Sequence, residues 1–289
     1  MDNLEQRIAR VRDDREHGSR WLVHETILIL YDLAMRQTSP VDERLRELQH
    51  AGEELARARP AMAALAGAVG RILGAPGGVE GMAHKALQLL KEYETAIEHI
   101  TKHARPLIAG TVMTHSLSGT VEAVLTNCLA QIDQLIVLEG RPRYEGRDVA
   151  LALSKSGAAV TLITDAQADI FLPQCHAVVV GADSVLANGD IFNKAGTALL
   201  AWAARGRRIP FHVLCETLKI SPHNWTGDLA QLEEKEPAEV LEQPIPGVTV
   251  RNFYFDRTPA KLVTNLITEQ GILGKHEIRQ LASQLKHVM

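Results

Sequence analysis

The stretch Ala177-Val-Val-Val-Gly-Ala-Asp183-Ser-Val-Leu-Ala-Asn188-Gly-Asp-Ile-Phe-Asn193-Lys-Ala-Gly-Thr197 decides the fold. Its first four residues are apolar without polar alternation. A strand of that kind is buried on both faces, as in a parallel sheet covered by helices. Polar residues follow at once, Gly181-Ala182-Asp183. Asn188-Gly189, set between Val185-Leu186 and Ile191-Phe192, is a tight-turn signal inserted after the strand. The amphipathic run Ala195–Arg205 then reads as a helix.

The same grammar extends outward from this stretch. Short apolar runs at Leu107–Met113, Gln134–Leu138, Ala159–Ile163 and Ile209–Leu214 alternate with helical segments such as Leu117–Ala130. Thr226–Gly247, rich in Glu and Pro, reads as an exposed loop, Val248–Phe255 as a last strand and Pro259–Gln270 as a closing helix. Upstream of Pro106 no β-pattern occurs. Ser39-Pro40-Val41-Asp42 is a helix start with Ser39 as cap and Pro40 at the first helical position. Met62, Leu65, Ala66, Val69, Ile72 and Leu73 repeat at helical spacing until Gly74, and a further helix covers about 79 to 103. The expectation is an α/β chain: an N-terminal all-helical domain over residues 1–103, then a Rossmann-like, doubly wound, mostly parallel sheet over residues 104–289.

Composition narrows the function classes. The 289 residues are 46% hydrophobic and 23% charged, enough chain for a sizeable core. Thirty-one Lys and Arg against 35 Asp and Glu leave a net charge of −4, which argues against coating nucleic acid or an anionic membrane. Aromatic content of 4% disfavours a stacking platform for single strands. Three cysteines, Cys128, Cys175 and Cys215, with no CxxC fit a reducing compartment. Met1–His17 alternates charge without an apolar core, unlike a secretory signal, and Trp21–Met35 is broken by His24, Glu25 and Asp32, unlike a membrane span. A cytoplasmic protein is expected, binding neither nucleic acid nor membrane directly.

In an open α/β sheet ligands bind beyond the carboxyl ends of the strands, where helix N-termini offer N–H groups to anions. The residues there include Thr114-His115-Ser116, Glu139-Gly140-Arg141, Asp165, Asp183, Asn193-Lys194 and Glu216 to Lys219. An acid, several cations and hydroxyls suit a phosphorylated, hydroxylated small molecule. There is no GxxxxGK[ST], no GxGxxG after a strand, no HExxH and no GxSxG, so a P-loop, a dinucleotide fingerprint, a zinc site and a hydrolase elbow lack support.

At these residues the chain strongly resembles the initiation factor 2B-related superfamily. That group includes the alpha, beta and delta subunits of translation initiation factor 2B, methylthioribose-1-phosphate isomerase and ribose-1,5-bisphosphate isomerase. The resemblance runs through Met113-Thr-His-Ser116, Glu139-Gly-Arg-Pro142 with Glu145-Gly-Arg147, the stretch around Asp183, Cys215-Glu-Thr-Leu-Lys219, Phe255-Asp-Arg-Thr-Pro259 with Leu262-Val-Thr264, and Ile267-Thr-Glu269, in the family's order from Pro106 onward. Gly18-Ser19-Arg20 and Arg59-Pro60 match more loosely, as arginine-bearing phosphate contacts.

The resemblance implies a sugar-phosphate isomerase-like protein that binds a phosphorylated pentose of the ribose-1,5-bisphosphate type. It implies aldose–ketose interconversion without metal or organic cofactor, and a homodimer made mainly through the α/β parts. Asp183 matches the family's catalytic aspartate, Asn193 and Lys194 the substrate-holding pair, and Lys219 a phosphate-side lysine. His115, Arg141, Arg20 and Arg59 complete the substrate-binding set. Ser116 stands where the isomerases carry a cysteine. A thiol, with a reference pKa near 8.5, exchanges protons near neutrality, whereas an unactivated hydroxyl does not. The alternative is a non-catalytic, initiation factor 2B-like subunit or a sensor of a sugar phosphate or nucleotide. A translation-factor partner would follow from kinship of fold alone.

Plainer roles compete at each position. Asp183 could orient the Asn188-Gly189 turn, Ser116 could cap the helix starting near Leu117, and Arg20 and Arg59 could form interhelical ion pairs. Lys194 and Lys219 could be solvated charges, Cys128 and Cys215 small buried hydrophobes, and Trp202 a packing residue.

Overall fold

The computed structural model describes residues 3–14, 17–37 and 40–285. Five helices come first: α1 (Leu4–Asp13), α2 (Ser19–Met35), α3 (Val41–Arg57), α4 (Ala63–Leu73) and α5 (Gly78–Ala104). Their apolar stripes, among them Leu22, Ile27, Leu30, Leu48, Leu55, Leu65, Ile72 and Leu89, close into one core. Pro40 occupies the cap of α3 rather than its first turn, and Ser39 lies outside the described residues. The last turns of α5 leave that core: Ile100 and Ala104 belong to the apolar layer on the sheet. No helix among the described residues is long and apolar enough to cross a membrane.

The sheet has seven strands: β1 (Gly110–His115), β2 (Ile132–Leu138), β3 (Val160–Ile163), β4 (Ala177–Val180), β7 (Phe211–Leu214), β9 (Asn265–Thr268) and β10 (Gly271–Leu273). Their order is β10-β9-β7-β4-β1-β2-β3, parallel throughout except for β10 at the edge. The apolar run of β4 has the expected cause. Val178 and Val180 face one layer with Leu200, Ala201 and Ala204 of α9 (Thr197–Arg207), while Val179 faces the other with Val121, Val124 and Leu125 of α6 (Gly119–Asn127). Helices cover both faces, so both sets of side chains are buried.

The Asn188-Gly189 signal produces a hairpin, β5 (Ser184–Val185) with β6 (Ile191–Lys194), and β8 (Phe255–Thr258) adds to it antiparallel as a second, three-stranded sheet. The turn is held by Asn188, whose Oδ1 accepts from the Asp190 amide at 3.0 Å, and not by Asp183. Two expectations need correction. The last strand of this region begins at Phe255, where the one over Val248–Phe255 was expected to end. Pro259–Gln270 is no helix: after a single 3-10 turn it forms β9, because β7 needs a parallel partner and Leu266-Ile267 supplies it. A helix does close the described chain, α10 (Lys275–Leu285).

One contact sets the distance between sheet and helix at the α7 (Glu145–Lys155) entry. A Cβ on Gly146 would lie 1.8 Å from the Leu138 carbonyl oxygen. Gly146→Ala is therefore expected to destabilise the fold by more than about 3 kcal/mol, the upper end of ordinary overpacking. Gly206, on α9 with open space around its Cβ position, should do the reverse: Gly206→Ala gains about 0.5–1 kcal/mol from helix propensity. Urea unfolding of both variants checks the pair.

Candidate functional site

From β1 the chain moves outward through β2 to β3, then returns to β4 on the other side of β1 and continues to β7 and β9. The strand order therefore reverses between β1 and β4, and the crevice beyond their carboxyl ends is where an open sheet of this kind takes a ligand. Ser116 directly follows β1, and Asp183 stands three residues after β4. Both line a cleft of about 840 Å³ together with Lys194, Arg59 and the start of α2.

Asp183 is half-buried, and its amide donates to the Phe192 carbonyl at 2.9 Å, tying it to β6. Burial pushes its carboxyl above the ordinary aspartate range, with Lys219 pulling back and Glu233 adding to the rise. An acid in that setting stays protonated to higher pH than a surface aspartate. Ser116 has φ +66°, a backbone conformation rarely taken by an L side chain. It does not cap the next helix. Ser118 does, its hydroxyl accepting from the Val121 amide at 3.4 Å. Lys194, 5% exposed, donates to Glu145 Oε1 at 2.6 Å and lies 4.5 Å from the Tyr254 ring centre. The Arg59 guanidinium donates to the carbonyls of Arg12 (3.1 Å) and Asp14 (2.9 Å) at the cleft wall.

The remaining sequence candidates are engaged beside or beneath the cleft. Lys219, 3% exposed, donates to the Ala182 carbonyl at 2.5 Å and to Ser19 Oγ at 3.0 Å, directly under Asp183. Asn193 alternates away from Lys194 along β6 and donates to Thr197 Oγ1 at 2.9 Å. His115 is buried, with Nε2 3.0 Å from the Ala195 carbonyl, and burial lowers its pKa. A Cβ on Gly196, at φ +108°, would come within 2.9 Å of that ring. Arg20 stacks on Tyr93 and pairs with Glu216 at 3.2 Å, an ion-pair role rather than a place in the cleft. Arg141 also lies off the cleft: its amide donates to Asp165 and its guanidinium to Tyr144 and the Val240 carbonyl. Cys128 and Cys215 are buried, and Trp202 is half exposed.

Sequence reasoning passed over Arg143, Glu145 and Tyr254, which line the cleft. Glu145 lay inside a motif already singled out, Glu145-Gly-Arg147. Arg143 stands two residues from Arg141, the arginine that the strand-end position singles out. The segment expected as a merely exposed loop contributes Glu234 to Pro237 and Glu239 to the cleft wall, and Glu239 accepts from the Tyr254 hydroxyl at 2.5 and 2.6 Å. Among the described residues no group of three or more His, Cys, Asp or Glu side chains is placed to hold a metal ion.

The comparisons with known proteins agree with this architecture. The model of the initiation factor 2 subunit family matches residues 15–275. Ribose 1,5-bisphosphate isomerase of Archaeoglobus fulgidus is 35% identical over 244 residues, covering 80% of this chain and 78% of that protein. A putative translation initiation factor eIF-2B subunit 2-like protein of Pyrococcus horikoshii is 32% identical over 271 residues, covering 92% of this chain and 94% of that one. The crystal structure of the Pyrococcus horikoshii translation initiation factor eIF-2B superposes with a TM-score of 0.82 at 30% identity, over 94% of this chain and 97% of its own. A sheet with its switch point between β1 and β4, an N-terminal helical part and a family match across nearly the whole length lead to one assignment: the chain belongs to the initiation factor 2 subunit family.

Proposed function

We propose that the cleft binds a phosphorylated pentose of the ribose-1,5-bisphosphate type and interconverts its aldose and ketose forms. The observation that carries this reading is the half-buried Asp183 at the switch point, its carboxyl raised by burial and flanked by Lys194, Lys219 and Arg59. A neutral carboxylic acid can give a proton to the sugar oxygen released when the ring opens and take one back from a hydroxyl. Lys194 and Arg59 suit the phosphate, and several relatives carry the name ribose 1,5-bisphosphate isomerase. The reading includes a cytoplasmic homodimer. Leu199 (77% exposed) and Trp202 (50% exposed), one turn apart on α9, support it with an uncovered apolar patch on the α/β part.

Ser116 favours a second reading, a ligand-binding regulatory subunit without turnover, because a serine hydroxyl is a far weaker acid than the thiol it replaces. Thermal shift separates outcomes first. Ribose 1,5-bisphosphate at 100 times its Kd should stabilise the protein by about 2.7 kcal/mol, and absence of any shift with sugar phosphates or nucleotides rejects both readings. Conversion of the bound sugar, followed by NMR, then supports the isomerase. A shift without conversion, with turnover appearing in Ser116→Cys, supports the regulatory subunit.

Asp183→Asn should keep binding while turnover falls by about 1,000-fold, within the range of general acid–base catalysis. Parent-like turnover in that variant removes Asp183 from the chemistry. The sign of the pH dependence follows from the acid role: kcat declines as pH rises through the raised pKa of Asp183, because the proton to be donated is lost. Light scattering should return twice the 31.7 kDa chain mass, and a monomer mass rejects the dimer.

A further inference from the structure

Glu145 is the first residue of α7, and its carboxylate enters the cleft from the β2 side, across β1 from Asp183. Oε1 accepts from Lys194 at 2.6 Å, while Oε2 is buried with no hydrogen-bond partner. Lys194 acts electrostatically on Asp183 and on His115, the residue before Ser116, and Glu145 acts on His115 as well. A single lysine thus lies within the field of two carboxyl groups, one on each side of β1, the strand that leads into Ser116. That strand end offers a hydroxyl and no thiol.

We propose that Glu145 is the base that takes the proton from carbon at this site, restrained by Lys194 until the phosphate of the substrate claims that lysine. This rests on the isomerase reading above. A carboxylate paired with an ammonium is a poor base, since the cation stabilises its ionised form. A phosphate group carries about −1.5 to −2 charges near neutrality and three acceptor oxygens, so it competes for Lys194. Losing the lysine frees Oε1, the oxygen that Lys194 now occupies, to accept the proton from carbon. The restraint is lifted by the molecule that needs the base.

The step balances. The C2–H bond of the furanose breaks and its proton passes to Glu145. The electron pair forms C1=C2 as the C1–ring oxygen bond breaks, and that oxygen takes the proton of Asp183. Glu145 then returns its proton to C1 while the C2 hydroxyl gives its proton to the Asp183 carboxylate, forming the C2 carbonyl. C2 is oxidised as C1 is reduced, and no outside oxidant or reductant takes part. Because one group removes and returns the proton, it arrives on the face of the sugar that Glu145 occupies.

The test is Glu145→Gln, read by calorimetry with ribose 1,5-bisphosphate and by turnover. Turnover should fall by about 100-fold or more. Kd should stay the same or tighten several-fold, because Lys194 is released and a negative charge is removed. A variant that converts substrate within threefold of the parent overturns the role, as does one whose binding weakens in step with its turnover. Glu145→Asp guards against a folding failure of the amide. It should convert the sugar more slowly than the parent but faster than Glu145→Gln, and turnover equal to the parent overturns the role. A parent protein that binds the sugar without converting it overturns the isomerase reading and this role together. A parent that converts it alongside an equally fast Glu145→Gln overturns this role alone.

Discussion

Burial of β1 and β4 on both faces is the constraint from which the rest follows. β4 carries no polar side chain from Ala177 to Val180, and Val112 and Met113 fill the middle of β1, so the groups of these two strands that line the cleft come after the strands stop. The strand order reverses between these two strands, which places a crevice beyond their carboxyl ends. Ser116 and Asp183 come together there because they are the first reactive side chains after adjacent strand ends, although 67 positions of numbering separate them. The apolar sheet and the polar site are two results of one packing requirement.

Electrostatically the cleft is crowded, and the cations proposed to meet the phosphate already have partners. Lys194 answers Glu145, Lys235 answers Glu233 at 2.8 Å, and Arg59 is spent on backbone carbonyls. An anionic ligand therefore exchanges existing partners for itself, and its affinity reports a difference between two well-paired states. Such exchange favours discrimination over raw strength, since an anion of the wrong shape breaks pairs it cannot replace. Tyr254 links this exchange to the surface segment through Glu239.

The order of elements and the position of the crevice were legible in the sequence, because apolar runs and turn residues act over a few neighbours. The identity of each cleft side chain was less so. Asn193 and Lys194 look alike as a polar pair, yet the pleat of β6 sends one to Thr197 and the other into the cleft. Arg141 and Arg143 are separated by a single proline, and only the path of the turn decides which faces inward. Leu262, Val263, Leu266 and Ile267 satisfy helical spacing as well as strand composition. What settled them was β7, a partner some fifty residues earlier that no local pattern can register. The contacts of Arg20 are hidden for a related reason: its partner, Glu216, comes from the far side of the chain.

Lys219 gives the helical part a means of communicating with the sheet. Its ammonium bridges Ser19, the first residue of α2, and the Ala182 carbonyl beside Asp183, and it is the strongest charge holding the pKa of Asp183 down. A tilt of α2 that lengthened the Ser19 contact would move that ammonium and alter the field at the carboxyl. The acidity of the site is thereby linked to the posture of a helix outside the sheet, so the seating of the N-terminal helices becomes a chemical variable as well as a mechanical one.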